Sequence, residues 1–445
     1  MESKQFKTGC GIGHGESLQP ASARTPERTE QKQVDAAASF TAIERLPEAE
    51  IRFRQQCCLK QLAEASPEAG GLLVQGRMNV YYLTGTLAAG LLWLPQEGWP
   101  VLLVRKGLER ARLESPLERI VRFKSFKELP AIAEHAGSPL PKTLGVDKEG
   151  FSWTMAEMLA SRLGETAFVD ASLAIARARM VKTPLEQDRM RACGAIHARV
   201  FDEILPSRIR PGMTERELAL CFVEESMRLG SDGLSRSRAL GEEMHYGYAS
   251  CGTSGLYPTC YPGPLGCRGS HPAVPFLGSS DVVWQEAAPL AMDMGCSAAG
   301  YNTDRTQVYW AGKASGIPDS VRRAHEACIE ILERALERLR PGAIPAEIWL
   351  DAKAQAKRLG YAEGFMGLGE DQLAFLGHGI GLNLDERPAL ARGFAAPLEA
   401  GMCLAVEPKI GLPGLGMIGL EHTYLVREGS PEPLTGTARD MIALG

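Results

Sequence analysis

The sequence predicts an α/β (α+β) protein of two domains. A mixed-sheet domain is expected over residues 41–178, and a pseudo-twofold domain with a curved antiparallel sheet and flanking helices over 181–445. Three observations carry this expectation. Short apolar runs alternate with helical patterns in the first half, a helix-and-turn phrase recurs in the second, and two acidic segments there read as hairpins. At 445 residues, 44% hydrophobic and 23% charged, the chain has globular composition and enough length for two separate cores.

Residues 1–40 are rich in Gly, Ser, Gln, Glu, Lys and Arg, and are expected to form a poorly ordered tail. Helical patterns then cover 48–65 and 153–162. Residues 71–75 read as a short buried strand; the apolar run 79–85 follows, then strands at 90–94 and 100–104. The domain boundary falls in or just after the basic run 176–180. Thr183-Pro184-Leu185-Glu186 opens a helix reaching about Leu205, with Thr183 as cap, Pro184 at the first helical position and Glu186 closing the capping box. A second box, Thr214-Glu215-Arg216-Glu217, opens the next helix. The phrase Arg210-Pro211-Gly212 is echoed by Arg340-Pro341-Gly342, each after a long amphipathic helix (185–205 and 320–339) and before another. With one carboxylate hairpin per half, the echo suggests two related units about a pseudo-twofold axis.

Composition narrows the function. A net charge of -5 with scattered Lys and Arg gives no nucleic-acid footprint. The longest apolar run, 87–94, is too short to span a membrane, and no basic-then-apolar signal pattern opens the chain. The 11 cysteines form no Cys-x-x-Cys pair, and the Cys251, Cys260 and Cys267 spacing matches no common zinc finger. Free thiols in a reducing cytoplasm are expected.

Five residues make a metal-ligand set: Asp293, Asp304, His378, Glu407 and Glu421. Four carboxylates crowd into one cleft only when cations neutralise them. Oxygen-rich ligation with one nitrogen suits two divalent ions (Mn, Co, Zn or Fe) bridged by shared carboxylates, able to hold a hydroxide at neutral pH. Asp293 and Asp304 flank a small-residue stretch and are expected to face each other in a hairpin centred on Ala298-Ala299. Glu407 and Glu421 are symmetric about Pro413-Gly414, a turn signal between apolar runs.

These strings resemble the pita-bread metallohydrolases: methionine aminopeptidase, aminopeptidase P, prolidase and creatinase. All five ligand positions match, including the eleven-residue step between the aspartates, and so does Lys182-Thr183-Pro184-Leu185-Glu186. Asn79-Val80-Tyr81-Tyr82-Leu83-Thr84-Gly85 resembles the creatinase-type N-terminal domain of the aminopeptidase P and prolidase branch. The resemblance implies that Asp293 chelates one metal, Asp304 and Glu421 bridge both, and His378 and Glu407 bind the other. It also makes Glu407 the general base.

Three positions depart from the family pattern. Thr259 and Asp385 stand where peptidases carry histidines, and Gly419 where prolidase-type enzymes often carry arginine. A histidine donates; an ionised aspartate only accepts, so Asp385 suits a cationic substrate group or a base role. Gly419 removes a clamp for a substrate carboxylate. His245, His271 and Arg387 are further candidate substrate contacts, Arg387 also being placed for an ion pair with Glu386. The resemblance implies an Xaa-Pro aminopeptidase or dipeptidase, a homodimer acting on a small peptide or small molecule. The three departures favour instead a creatinase-like hydrolase or lyase of a small metabolite, whereas the complete ligand set favours the peptidase.

Overall fold

The computed structural model describes residues 40–238 and 246–445. The expected tail, up to residue 39, and candidate His245 lie outside the described residues.

A six-stranded sheet organises the first half in the order β4-β3-β2-β1-β5-β6: β1 Gly71–Val74, β2 Ala89–Pro95, β3 Val101–Lys106, β4 Ile120–Arg122, β5 Thr143–Val146 and β6 Ala167–Asp170. β1 runs antiparallel to β2 and parallel to β5, so the sheet is mixed. Its strands are apolar on both faces because both faces are covered. Leu72 and Val74 pack on one side against Cys58 and Leu62 of helix α1, Glu48–Ala65. Leu73 and Trp93 point to the other side, packing with Leu129 and Leu159. Each such buried side chain contributes roughly 1.5–3 kcal/mol.

The run 79–85 lies in a helix, not in a strand: α2 spans Arg77–Thr84 and is closed by Gly85 at φ 76°. Val80, Leu83 and Thr84 share its buried face at spacings of three and four. Helical periodicity and a left-handed glycine stop therefore outweigh the β-propensity of Val80, Tyr81 and Tyr82. Three short helices follow, α3 Leu108–Glu114, α4 Leu129–His135 and α5 Trp153–Leu163, before α6, Ser172–Met180.

Beyond α6 the expected capping boxes form. Thr183 accepts from the Glu186 N–H and Glu186 returns the bond, starting α7, Pro184–Arg199. Thr214 and Glu217 do the same for α8, Glu215–Arg228. The first helix continues through a π-turn, Val200–Ile204, into Leu205–Arg208. α9, Asp319–Arg338, and α10, Pro345–Arg358, are the repeat's second pair.

Two sheets carry the second half. β7 Gly247–Cys251, β8 Pro289–Ala298 and β9 Tyr301–Ala311 form one, with the short C-terminal strand Ile442–Leu444 at its edge. β10 Phe375–Gly379, β11 Glu386–Ala391, β12 Cys403–Val406 and β15 His422–Leu425 form most of the other. The hairpin of β13, Lys409–Leu412, and β14, Gly416–Gly419, extends from β12 and β15. The two sheets touch where Thr306 and Glu421 exchange backbone hydrogen bonds of 3.3 and 3.2 Å. Beside this bridge, Thr423 Oγ1 accepts from the Asp304 N–H at 2.9 Å and donates to the Asp304 carbonyl at 3.0 Å.

One buried group predicts a pH dependence. His325 of α9 is buried; Nε2–H donates to the Arg439 carbonyl at 2.7 Å, and Nδ1 has no partner among the described residues. Burial lowers its pKa from the ordinary 6.5, outweighing the carbonyl and nearby acids. A proton is bound more readily in the unfolded chain, so stability is complete above pH 6.5 and falls as pH drops below it. The slope is at most about 1.4 kcal/mol per pH unit. Urea unfolding at pH 7.5 and 5 should show a smaller loss for His325→Gln than for the wild type. Equal losses would show that this histidine titrates alike in both states.

Candidate metal centre

At the contact between the two sheets, all five acidic and imidazole candidates converge. One set of ligand atoms comes from Asp304, His378 and Glu421, another from Asp293, Glu407 and Glu421. Within each set the atoms lie within 4.8 Å of one another, and Glu421 belongs to both.

The hairpins deliver these side chains, with one change from expectation. Asp293 lies opposite Thr306, and Asp304 opposite Gly295. The turn is centred on Ala299-Gly300, at φ 48° and 81°, not on Ala298-Ala299. A two-residue turn with both φ positive matches strand twist, and glycine fits its second position better than a second alanine would. Moving the centre by one residue offsets the aspartates diagonally by two positions, which keeps them on one face. In the other hairpin a single register runs from Val406↔His422 to Lys409↔Gly419, so Glu407 and Glu421 stand opposite each other as expected.

His378 turns Nε2 toward the carboxylates. Its Nδ1–H donates to the Gly379 carbonyl at 3.1 Å, which turns the Nε2 lone pair toward Glu407 Oε1 at 3.7 Å and Glu421 Oε1 at 3.9 Å. Glu421 Oε1 is buried with no hydrogen-bond partner among the described residues, while Oε2 accepts from Thr306 Oγ1 at 2.9 Å. An orphaned carboxylate oxygen beside an imidazole lone pair and two more carboxylates is a donor set suited to a divalent cation.

The electrostatics agree. Burial, with Glu421 alongside, lifts Asp293 to about 6 despite a nearby Lys409. Burial and the Glu421 and Asp293 charges push Asp304 well above the carboxylate range, and burial also raises Glu407. Burial opposes a charge on His378, but Glu407 and Glu421 outweigh it and the net shift is upward. The protein's own groups leave negative charge uncompensated, and the residues present fit divalent metal.

Lys409 was not singled out in the sequence, although it follows Glu407 by two positions and so shares its strand face. Its Nζ lies 2.7 Å from Glu407 Oε2, 2.8 Å from Glu421 Oε2 and 3.2 Å from Asp293 Oδ2, fully buried. Gly419 faces it. A Cβ at 419 would come within 2.4 Å of the Pro408 carbonyl and 3.0 Å of Lys409 Cγ.

The centre opens into a cleft of about 760 Å³ including its mouth, walled by Tyr248, Tyr261, Leu384, Asp385 and Arg236. Asp385 Oδ1 accepts from the Arg238 N–H at 2.8 Å and Ser237 Oγ at 3.3 Å. Arg236, half-buried, went unnoticed in the sequence because nothing local distinguishes it from other basic residues. Thr259 lines an adjoining cavity, which shares Tyr261 and Gly263 with the cleft, and caps the Tyr261 N–H at 3.3 Å. His271 and Arg387 are not in the cleft wall. His271 is exposed in a turn, its Nδ1 accepting from the Ala273 N–H at 3.1 Å. Arg387 stacks on Phe394, 5.8 Å from the ring centroid. The expected ion pair between Arg387 and Glu386 is absent among the described contacts; Glu386 turns inward to Arg179 and Lys182. Alternation along β11 puts neighbouring side chains on opposite faces.

Comparison with known proteins gives a consistent result. Residues 188–428 match metallopeptidase family M24, and residues 54–181 match the Creatinase/Prolidase N-terminal domain. The sequence is 27% identical over 368 residues to the Xaa-Pro dipeptidase of Pyrococcus furiosus, covering 82% of this chain and 93% of that one. The Xaa-Pro dipeptidase of Lactobacillus helveticus is 27% identical over 300 residues, 67% of this chain and 72% of its own. Among solved structures, the prolidase from Pyrococcus furiosus is similar with a TM-score of 0.69 at 25% identity, covering 86% of this chain and all of that one (100%). The X-Pro aminopeptidase from Thermotoga maritima MSB8 shares the fold, with a TM-score of 0.71 at 22% identity and coverage of 87% and 99%.

Proposed function

We propose a function from one premise: this chain belongs to metallopeptidase family M24. As a member it is a metal-dependent peptidase, and the reading as a creatinase-like non-peptidase is not favoured beside Xaa-Pro dipeptidase relatives. The finer reading is an Xaa-Pro dipeptidase, supported above all by two ligand sets sharing Glu421 at the floor of a small cleft.

Asp293, Asp304, His378, Glu407 and Glu421 are proposed to hold divalent ions, drawn from Mn, Co, Zn or Fe. When bound, such ions activate water and polarise the scissile carbonyl. Glu407, raised in pKa and opposite Glu421, is placed to accept a proton and return it to the departing nitrogen. Asp385 is assigned to the substrate's cationic terminus. Arg236 is assigned to its carboxylate, the task that Gly419 cannot perform. Separated charges of opposite sign on the cleft wall match the two ends of a dipeptide. Residues 41–178 are taken as the N-terminal domain and 181–445 as the catalytic one. The ten described cysteines are all unpaired, consistent with a cytoplasmic enzyme, and a homodimer is the expected assembly.

The test compares Xaa-Pro dipeptides with their C-terminal amides in metal-loaded protein. The free acids should be hydrolysed roughly 10- to 100-fold more efficiently, the value of one charged hydrogen-bonded contact. Arg236→Ala should remove that preference by raising KM for the acid. Equal turnover of acid and amide by the wild type would overturn the carboxylate assignment, and absence of proline-peptide turnover would overturn the substrate reading.

A further inference from the structure

The three oxygens held by Lys409 come from Asp293, Glu407 and Glu421. Those are the same three residues that make up the second ligand set. The first set is different. His378 Nε2 faces the remaining oxygens of Glu407 and Glu421, and Glu421 Oε1 there has no hydrogen-bond partner among the described residues. The centre is therefore asymmetric: one half is donor-rich and uncompensated, and the other already surrounds a cation.

We propose that the Lys409 ammonium is a built-in competitor for one of the two metal subsites, so that the centre takes up its ions unequally. This rests on the metallopeptidase reading above. One ion binds tightly at Asp304, His378 and Glu421; a second gains Asp293, Glu407 and Glu421 only when Lys409 withdraws. Three observations support this. The lysine is fully buried, and the only polar partners of its ammonium among the described residues are these carboxylates. At 2.7 and 2.8 Å, Glu407 and Glu421 accept charge-assisted hydrogen bonds from it, and Asp293 Oδ2 at 3.2 Å completes the ion-pair cluster. The stem runs over Gly419, where any side chain would crowd Lys409 Cα at 2.7 Å. The lysine and the glycine that replaces the family's arginine thus oppose each other in one strand pair.

The competition has a definite magnitude. An ion that binds only the conformer with Lys409 withdrawn has its affinity reduced by the fraction of that conformer, so a population of about 1% weakens it about 100-fold. Lys409→Met keeps the length of the stem and removes the charge, and Lys409→Gln is a polar alternative should the first fold poorly. Mn²⁺ titration of metal-free full-length protein by calorimetry, with metal content measured after dialysis, reads both sites. The wild type should retain one ion tightly and bind a second about 100-fold more weakly, whereas the variant should retain two. Electron paramagnetic resonance at limiting Mn²⁺ should show isolated ions in the wild type and exchange-coupled pairs in the variant. Two equally tight, coupled ions in the wild type would overturn the inference while leaving the metallopeptidase reading intact. Absence of metal binding by either protein would overturn both.

Discussion

Glu421→Gln is expected to remove both metal binding and nearly all hydrolysis. Glu421 is shared by the two ligand sets, so a neutral amide there weakens both at once. Its Oε1 is the bare oxygen beside His378, and Oε2 is fixed by Thr306 and Lys409. The amide group would place a donor where one half of the centre needs an acceptor. Peptide hydrolysis should fall by roughly 10³-fold or more, equivalent to about 4 kcal/mol of lost transition-state stabilisation. Misfolding is separable from this effect. Divalent metal should raise the melting temperature of the wild type through its preference for the folded state, and leave that of the variant unchanged. The metal-free melting temperatures should lie close together, because losing one bond to Lys409 is offset by relief of repulsion among four buried carboxylates. A variant that still gains stability from Mn²⁺ and keeps a tenth of the activity would remove Glu421 from the centre.

The parts legible in the sequence are those fixed by short-range rules. Capping boxes at Thr183 and Thr214 are local, and both form. Turn chemistry at Pro413-Gly414 and small residues near 299 bring two pairs of carboxylates onto shared faces, because hairpin pairing preserves side-chain parity even when the turn centre shifts. The convergence of all five candidates then requires one further fact, that the sheets meet at Thr306 and Glu421, and no local pattern contains it. Residues 79–85 were harder: β-prone side chains obscured a helical face only eight residues long. The substrate contacts were the least legible. His271 and Arg387 are near the centre in sequence, but one is in an exposed turn and the other lies on Phe394. Arg236 reaches the cleft from a loop whose path depends on its contacts with residues 383–385.

Those contacts make Glu386→Gln the second large effect, and one that couples stability to activity. Glu386 is buried between two cations. Its Oε1 accepts from Arg179 and from the Asn383 N–H at 2.9 Å, and Oε2 accepts from Lys182 at 3.3 Å. Burial opposes its charge, but Arg179 and Lys182 outweigh it and hold its pKa below the usual 4.5. Stability from this cluster is thus complete above pH 4.5 and lost as pH falls through the lowered value. Arg179 also binds Asn79 Oδ1 and Asn383 Oδ1, each at 2.6 Å, tying helix α2 to the loop that carries Leu384 and Asp385 into the cleft. A glutamine fits the space but leaves two buried positive groups without a counter-charge, a loss of about 3–5 kcal/mol. Urea unfolding should show that decrease at pH 7 and a smaller one near pH 4, below the ordinary 4.5 at which the unfolded chain takes up the proton. Activity should fall through KM more than kcat, because the cleft wall shifts while Glu407, Glu421 and His378 keep their own supports. A change below about 1 kcal/mol at pH 7 would mean that the two cations find other partners, and that the loop is held by its backbone contacts alone.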